Sequence, residues 1–258
     1  MGLLRVGRCL REGWRVFGRR RRFLMGIWLL VWCIEGIVVT PLAVRPEIGP
    51  LFWVTLLVSA VLYGPLYAGQ QFLVLCIARD QPCGVGTASA GFARFGRILG
   101  ITVAMILRIV VALGPLVLAF LLSGFVAAYS LPAFYAILLV GGAISLVFFV
   151  RICLRYGYAW VLALDKGTGV LDSMAASAEL TRGSLARLLG IAIVPSLLWA
   201  PLVVLQQFIA GPLWATALTY GLSLGYSVVV LPWYVASAMV AYRVLRGEGQ
   251  EQEAAPST

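Results

Sequence analysis

The chain has 258 residues, of which 62% are apolar and only 12% charged, and its mean hydropathy is +0.98. A soluble domain carries about 25% charged residues, so this chain cannot cover a folded surface in water, and lipid must solvate most of it. The net charge of +10 does not indicate a nucleic-acid partner, because the arginines track the ends of apolar stretches and no soluble domain accompanies them.

Residues 1–22 form a basic amphipathic segment. Leu3, Val6, Leu10, Trp14 and Phe17 recur at three- and four-residue spacing, while Arg5, Arg8, Arg11, Arg15 and Arg19 take the opposite face. This pattern predicts an interfacial helix, with its apolar stripe in the acyl boundary and its arginines on anionic headgroups. Each such arginine contributes on the order of 1 kcal/mol near anionic lipid. The segment is too long and too basic for a cleavable signal. Arg20-Arg21-Arg22-Phe23-Leu24-Met25 resembles a twin-arginine motif but reads as a charge collar on the first span.

Residues 23–246 hold six apolar stretches: Phe23–Val44, Leu51–Ala78, Ile98–Leu122, Leu131–Leu164, Leu188–Ala210 and Leu213–Leu245. Each exceeds the roughly 20 helical residues that cross a bilayer, and none alternates in polarity as a barrel strand does. The fold class expected is therefore all-α integral membrane, with six transmembrane helices and three cytoplasmic interfacial helices. The second, fourth and sixth stretches are over-long and must tilt, kink or run past the membrane. Basic residues fall before the first stretch, between two and three (Arg79, Arg94, Arg97), between four and five (Lys166, Arg182, Arg187) and after six (Arg243, Arg246). The opposite side has Arg45 alone. The positive-inside rule then places both termini in the cytoplasm, and the layout is that of a bacterial cytoplasmic (inner) membrane protein.

Two further amphipathic stretches lie on the cytoplasmic side. Gly84–Gly96 aligns Val85, Ala88, Phe92 and Phe95. Val170–Arg187 aligns Val170, Met174, Ala178 and Leu185, with Thr168 as its expected N-cap. Arg97-Ile98-Leu99-Gly100-Ile101 and Arg187-Leu188-Leu189-Gly190-Ile191 echo each other, and Arg22–Ile27 follows the same outline. Three repeats of interfacial helix plus hairpin are one reading, and chance likeness of apolar segments is the other. Residues 247–258 are polar and aperiodic, as expected of a disordered tail. Pro65, Pro115, Pro195, Pro201 and Pro232 interrupt the spans and should kink them.

The residues offer little catalytic chemistry. There is no histidine and no HExxH, GxSxG or phosphate-loop pattern, and the five cysteines include no CxxC pair. No metal site or cofactor is expected. Asp80 and Asp165 read as solvated turn residues. Charges within the spans stand out instead. Glu35 lies twelve residues past Phe23 and Arg108 eleven past Arg97, so both reach about 17 Å along their helices, and a buried pair between them is geometrically open. Arg151 and Arg155 share one face of the fourth span, either snorkelling to the inner interface or forming an anion or lipid-headgroup site near Glu179.

Ser177-Ala178-Glu179-Leu180-Thr181-Arg182-Gly183, followed by Leu188-Leu189-Gly190-Ile191, resembles a motif in a group of bacterial six-span proteins. That group includes the membrane domain fused to some glycerophosphodiester phosphodiesterases, and stand-alone uncharacterised relatives. The closing Pro232-Trp233-Tyr234, with Ala238 and Tyr242, is similar to the group's last span. The resemblance implies a six-helix membrane fold. It implies no phosphodiesterase activity, which belongs to a separate soluble barrel. Arg182 and Gly183 sit at the elbow into the fifth span, where Gly183 allows the bend and Arg182 can meet a phosphate.

The expectation is a non-enzymatic protein that binds or moves a lipid or anionic amphiphile, or that serves as the membrane subunit of a complex. An enzyme acting on lipid headgroups is the alternative. The ligand-binding candidates are Arg108, Arg151, Arg155, Arg182 and Glu35. The expected partners are membrane lipids, anionic by the arginine excess, and a possible protein partner.

Overall fold

The computed structural model describes residues 5–44, 49–126, 130–208 and 213–248, and every regular element among them is helical. Helix α1 (Val6–Arg19) is followed by α2 (Arg21–Val44) and α3 (Gly49–Ala78). Two single-turn helices, α4 (Val85–Ala88) and α5 (Ala90–Ala93), lead into α6 (Phe95–Val126) and α7 (Leu131–Tyr156). Then come α8 (Ala159–Asp165), α9 (Val170–Leu180), α10 (Leu185–Phe208), α11 (Leu213–Gly225) and α12 (Leu231–Leu245), with a π-helical turn at Tyr226–Val230 joining the last two. Among the described residues, five helical segments are long and apolar enough to cross a membrane: Leu57–Ala78, Phe95–Val126, Leu131–Asp165, Leu185–Val204 and Gly221–Leu245. This is the architecture of an all-α membrane protein.

The over-long stretches are resolved in three ways. α3 runs on for 30 residues with Pro65 inside it. The fourth stretch breaks after Tyr156, and its end becomes the separate helix α8, whose residues Ala159 to Leu164 are all buried. The sixth absorbs its extra length in the π turn, and Pro232 enters at the start of α12, where its missing N–H costs least.

Helix α1 docks against α12 instead of laying its whole stripe in lipid. Cys9, Gly13, Val16 and Phe17 are buried there, Trp233 Nε1 donates to Leu10 O at 3.1 Å, and Trp14 stays exposed at the edge, ring-to-edge with Trp233. The close crossing depends on Gly13, since a β-carbon there would stand 2.2 Å from Ser237 Oγ. The arginines of α1 remain exposed, as their spacing predicts.

The second amphipathic stretch is not one helix. Four glycines within residues 84–96 weaken it, and it folds as α4 and α5 laid on α3. Ala88 O would be 1.8 Å from a β-carbon at Gly69, so the backbones touch only because residue 69 has none. Val85, Phe92 and Phe95 are exposed, so the expected apolar face is not buried. The third stretch does form α9, but Gly169 is its N-cap, and the Thr168 hydroxyl instead pairs with Ser173 Oγ at 2.6 Å.

The arginine-rich end of the bundle is knitted together by charge. Arg79, at the end of α3, makes paired hydrogen bonds to Asp165 (2.6 and 3.0 Å) and to Glu248 (2.6 and 3.0 Å). Arg246 also bonds to Asp165, and Tyr242 Oη donates to Asp165 Oδ2 at 3.1 Å. The two carboxylates push the Arg79 guanidinium further above its already high pKa, the bonds to Asp165 contributing most. Asp165 is thus a half-buried hub and not a solvated turn residue. Glu248, within the segment expected to be a free tail, is tied into the same network; residues 249–258 lie outside the described ones. Several other arginines close helix ends, whose last carbonyls lack N–H partners. Arg94 donates to Ala163 O and Leu164 O at 2.7 and 2.8 Å, Arg97 to Gly167 O at 2.6 Å, and Arg243 to Ala78 O.

At the opposite end, α6 and α7 pack chiefly on each other. The most apolar windows of α6 and of α7–α8 are 17% and 11% buried, against 65% for α3, so the hairpin presents its apolar faces outward. Small residues form its seam: Ala112, Ala119 and Ser123 meet Gly141 and Ser145. Ser145 Oγ accepts the Leu116 N–H at 2.9 Å, just past Pro115, where the helical ladder is interrupted.

Candidate functional site

Three of the charged residues singled out within the spans meet Arg182 at a polar pocket of about 920 Å³. Arg108 enters from α6, Arg151 and Arg155 from α7, and Arg182 from the elbow between α9 and α10; Tyr156, Glu179, Thr181 and Gly183 complete the polar wall. Leu171, Met174, Ala175, Ala178 and Leu185 line the rest. Four arginines less one glutamate leave an excess of three positive charges.

Local structure fixes these groups. Where α7 ends, its last carbonyls lose their helical donors. Ser177 Oγ on α9 and Thr181 Oγ1 at its C-cap donate to Arg155 O at 2.9 and 3.3 Å. Ser173, Ser177 and Thr181 recur every four residues and are fully buried, so one face of α9 is stitched to the α7–α8 break. Directly after Thr181 the chain turns at Gly183, whose φ of +77° lies in the left-handed region that glycine alone enters without strain. The turn presents Arg182 to the pocket.

Tyr156 organises two of the cations. The Arg108 guanidinium carbon lies 5.0 Å from the ring centroid and that of Arg155 5.8 Å, both within cation–π range. Arg108 also donates to Ala104 O at 3.1 Å and approaches Met174 Sδ at 3.6 Å. Among the described residues, none of the four arginines forms an ion pair with a carboxylate. The planar donor forks of Arg151, Arg155 and Arg182, and the second amino group of Arg108, therefore remain open to an external anion. That geometry suits the oxygens of a phosphate or carboxylate.

Of the five residues expected to bind ligand, the structure brings Arg108, Arg151, Arg155 and Arg182 together. Glu35 falls on α2, and its side chain lies outside the described residues. Arg108 turns towards Tyr156 and α9, so its described contacts are spent on the pocket. Sequence reasoning missed Tyr156 and the hydroxyl clamp. The four-residue repeat of Ser173, Ser177 and Thr181 was the available signal for the clamp.

No group of three histidine, cysteine, aspartate or glutamate side chains among the described residues is placed to hold a metal ion. The described structure is that of an all-α membrane protein with a basic pocket at the junction of three helices. No family model, curated protein or solved structure matches the chain.

Proposed function

We propose that the protein binds the anionic headgroup of a membrane amphiphile in the arginine pocket, and that it does so without catalysing a reaction on it. The observation that carries this reading is the convergence of four arginines from three elements with no described carboxylate paired to them. A charge inside a membrane protein costs roughly 2.5–3.5 kcal/mol by insertion scales, so such residues pair or line a wet cavity. Here they line a cavity. The apolar side of the pocket, Leu171, Met174 and Leu185, fits the first methylenes below a headgroup. The Thr181 hydroxyl, bonded to the Ser177 and Arg155 carbonyls, is occupied structurally and is a poor nucleophile.

In this reading α2, 24 residues long and apolar, is a sixth span ahead of the five. The arginine-rich end faces the cytoplasm of a bacterial cell and both termini lie there. On the same reading, the chain would consist of three repeats, each an interfacial element followed by a helical hairpin. The motif likeness to the membrane domain fused to glycerophosphodiester phosphodiesterases concerns the α9–α10 elbow, which is one wall of the pocket.

The test is native mass spectrometry of protein extracted in mild detergent, followed by titration with an anionic phospholipid and a zwitterionic one of the same chains. Wild type should retain the anionic lipid preferentially. Arg155→Ala and Arg182→Ala should each weaken it about tenfold to hundredfold, since a hydrogen bond to a charged group contributes roughly 1.5–3 kcal/mol. Equal retention of both lipids by wild type and variants would overturn the reading. The sparsely covered α6–α7 hairpin supports a second reading, membrane subunit of a complex. A protein co-purifying at fixed ratio, and lost on Val111→Arg and Leu139→Arg, would favour it; both residues are highly exposed.

A further inference from the structure

The arginine pocket offers more donors than the phosphodiester of an ordinary lipid can accept. Arg151, Arg155 and Arg182 each present an open guanidinium fork, and Arg108 one further amino group. The start of α10 adds to them. Gly183 and Leu185 line the pocket, and the N–H groups of Leu185 and Ala186 have no acceptor among the described residues. α10 is 24 residues long, and such a helix carries roughly half an elementary positive charge at its N-terminus. Opposing groups are few. α7 ends at the pocket, but its Arg155 carbonyl already accepts from Ser177 and Thr181, so that oxygen is not turned free towards an anion. Glu179, from α9, is the one carboxylate in the described wall.

Anionic headgroups differ in oxygens and in charge. A phosphodiester or a carboxylate presents two free oxygens and one negative charge. A terminal phosphoryl group presents three oxygens and a charge of about −1.5 to −2 near pH 7. A guanidinium fork spans one oxygen–oxygen edge with two parallel N–H···O bonds. Three oxygens make three edges, one for each open fork. Two oxygens make a single edge and leave the other forks to water. Charge points the same way. Against an excess of three positive charges, a diester leaves two unbalanced, and a terminal phosphoryl group leaves about one.

We infer, resting on the headgroup reading proposed above, that the pocket selects a terminal phosphoryl group, in a phosphomonoester or a diphosphate, over the phosphodiester of ordinary anionic phospholipids. Leu171, Met174 and Leu185 then take the first methylenes behind it. Selection of this kind depends on pH, because the second ionisation of a phosphomonoester lies near about pH 6. The dianion, which the arginines favour, is lost as pH falls through that value. Facing it are Arg108 from α6, Arg151, Arg155 and Tyr156 from α7, Glu179 from α9 and Arg182 from the elbow. Arginine stays protonated throughout. Glu179→Gln removes the carboxylate from this set and leaves the phosphoryl group to account for any dependence between pH 5 and pH 7.5.

The experiment titrates the full chain in mild detergent with three lipids of identical chains, read by native mass spectrometry: phosphatidic acid, its methyl diester phosphatidylmethanol, and phosphatidylcholine. At pH 7.5 phosphatidic acid should bind about tenfold to hundredfold more tightly than the methyl diester, the factor expected of one further hydrogen bond to a charged group. At pH 5 that ratio should fall about tenfold, in Glu179→Gln as in wild type. Arg151→Gln, Arg155→Gln and Arg182→Gln should each narrow it, since each removes one fork. Glycerol 3-phosphate carries the same phosphoryl group without chains, and should compete only at about tenfold higher concentration or more, because it lacks the buried methylenes. Equal binding of phosphatidic acid and its methyl diester, both above phosphatidylcholine, would overturn the terminal-phosphoryl selectivity and leave the anionic-headgroup reading standing. Equal binding of all three would overturn both. A ratio indifferent to pH, or one that persists in all three arginine variants, would also overturn the selectivity. Competition by glycerol 3-phosphate at the lipid's own concentration would uphold the selectivity and assign the site to a soluble ester instead of a lipid.

Discussion

Replacing Gly13 by leucine separates a docked first helix from a free surface anchor. A β-carbon at residue 13 would stand 2.2 Å from Ser237 Oγ and 2.6 Å from both its Cα and its N. The hydroxyl can rotate away, but the backbone atoms cannot. Overpacking at a rigid contact costs about 1–3 kcal/mol. Opening the crossing also gives up the bond from Trp233 Nε1 to Leu10 O, about 1 kcal/mol net. A penalty of about 2–4 kcal/mol raises the undocked fraction of α1 roughly thirtyfold to several hundredfold.

Cys9 reports that fraction. It is 1% exposed, and burial, reinforced by nearby Glu12, pushes its thiol from the ordinary 9.0 up to about 11. A two-unit rise leaves about a hundredfold less thiolate at any pH below 9. A water-soluble maleimide at pH 7.5 should therefore spare Cys9 in the wild type while labelling the partly exposed Cys83. In Gly13→Leu, Cys9 labelling should accelerate towards the Cys83 rate. The pH dependence has a definite sign. A thiol whose pKa is raised by docking favours the docked state fully below about pH 9. That contribution fades as pH climbs through about 11. Wild-type Cys9 reacting as fast as Cys83 at pH 7.5, or a Gly13→Leu protein with unchanged Cys9 protection, would refute the docking.

Arg79→Ala should destabilise the arginine-rich end by about 1–3 kcal/mol, read as a lower thermal midpoint, because it removes the paired hydrogen bonds to Asp165 and Glu248 and leaves both half-buried carboxylates to Arg246. Asp165→Asn should cost less, since the amide oxygen can still accept from Tyr242 and Arg246. Ser145→Val should cost about 1–2 kcal/mol by leaving the Leu116 N–H without its acceptor in an apolar seam, with Ser145→Thr retaining most of the stability. Gly183→Val should cost about 1–2 kcal/mol through its φ of +77°, and should weaken anionic lipid retention along with it, because the same turn presents Arg182. A Gly183→Val protein with full lipid retention would detach the elbow from the pocket.

Long apolar stretches bounded by arginine were legible in the sequence because bilayer thickness dictates both their length and their ends. α2, α3, α6 and α10 accordingly lie close to the expected stretches. The break between α7 and α8 was not legible, since the apolar run resumes at once after Tyr156-Gly157-Tyr158 and the break is sustained by the hydroxyls of Ser177 and Thr181, more than twenty residues on. The split of α4 from α5 was visible in principle through four glycines, yet the hydrophobic spacing pointed the other way. The role of the arginines was only half legible. Their positions marked one end of the bundle, but nothing local showed that Arg94 and Arg243 would close the ends of α8 and α3, or that Arg79 would bridge Asp165 and Glu248. Those contacts join residues more than sixty positions apart.

The four arginines of the pocket were legible as charges that had to be accounted for, and the reason they meet is a matter of phase. Arg151 and Arg155 stand one turn apart on one face of α7, Arg108 lies one turn beyond Met105 and two beyond Ile101 on α6, and Arg182 follows the end of α9 at the elbow. On α7 the Arg151 and Arg155 side chains point about 200° away from Phe149 and Cys153, so charged and apolar stripes share one helix. Substitutions on the Arg151 and Arg155 face should leave the Phe149 and Cys153 face intact, and the reverse. What no single segment of sequence carries is the meeting itself, which requires α6, α7 and the α9–α10 elbow to be brought together by the buried face of α9.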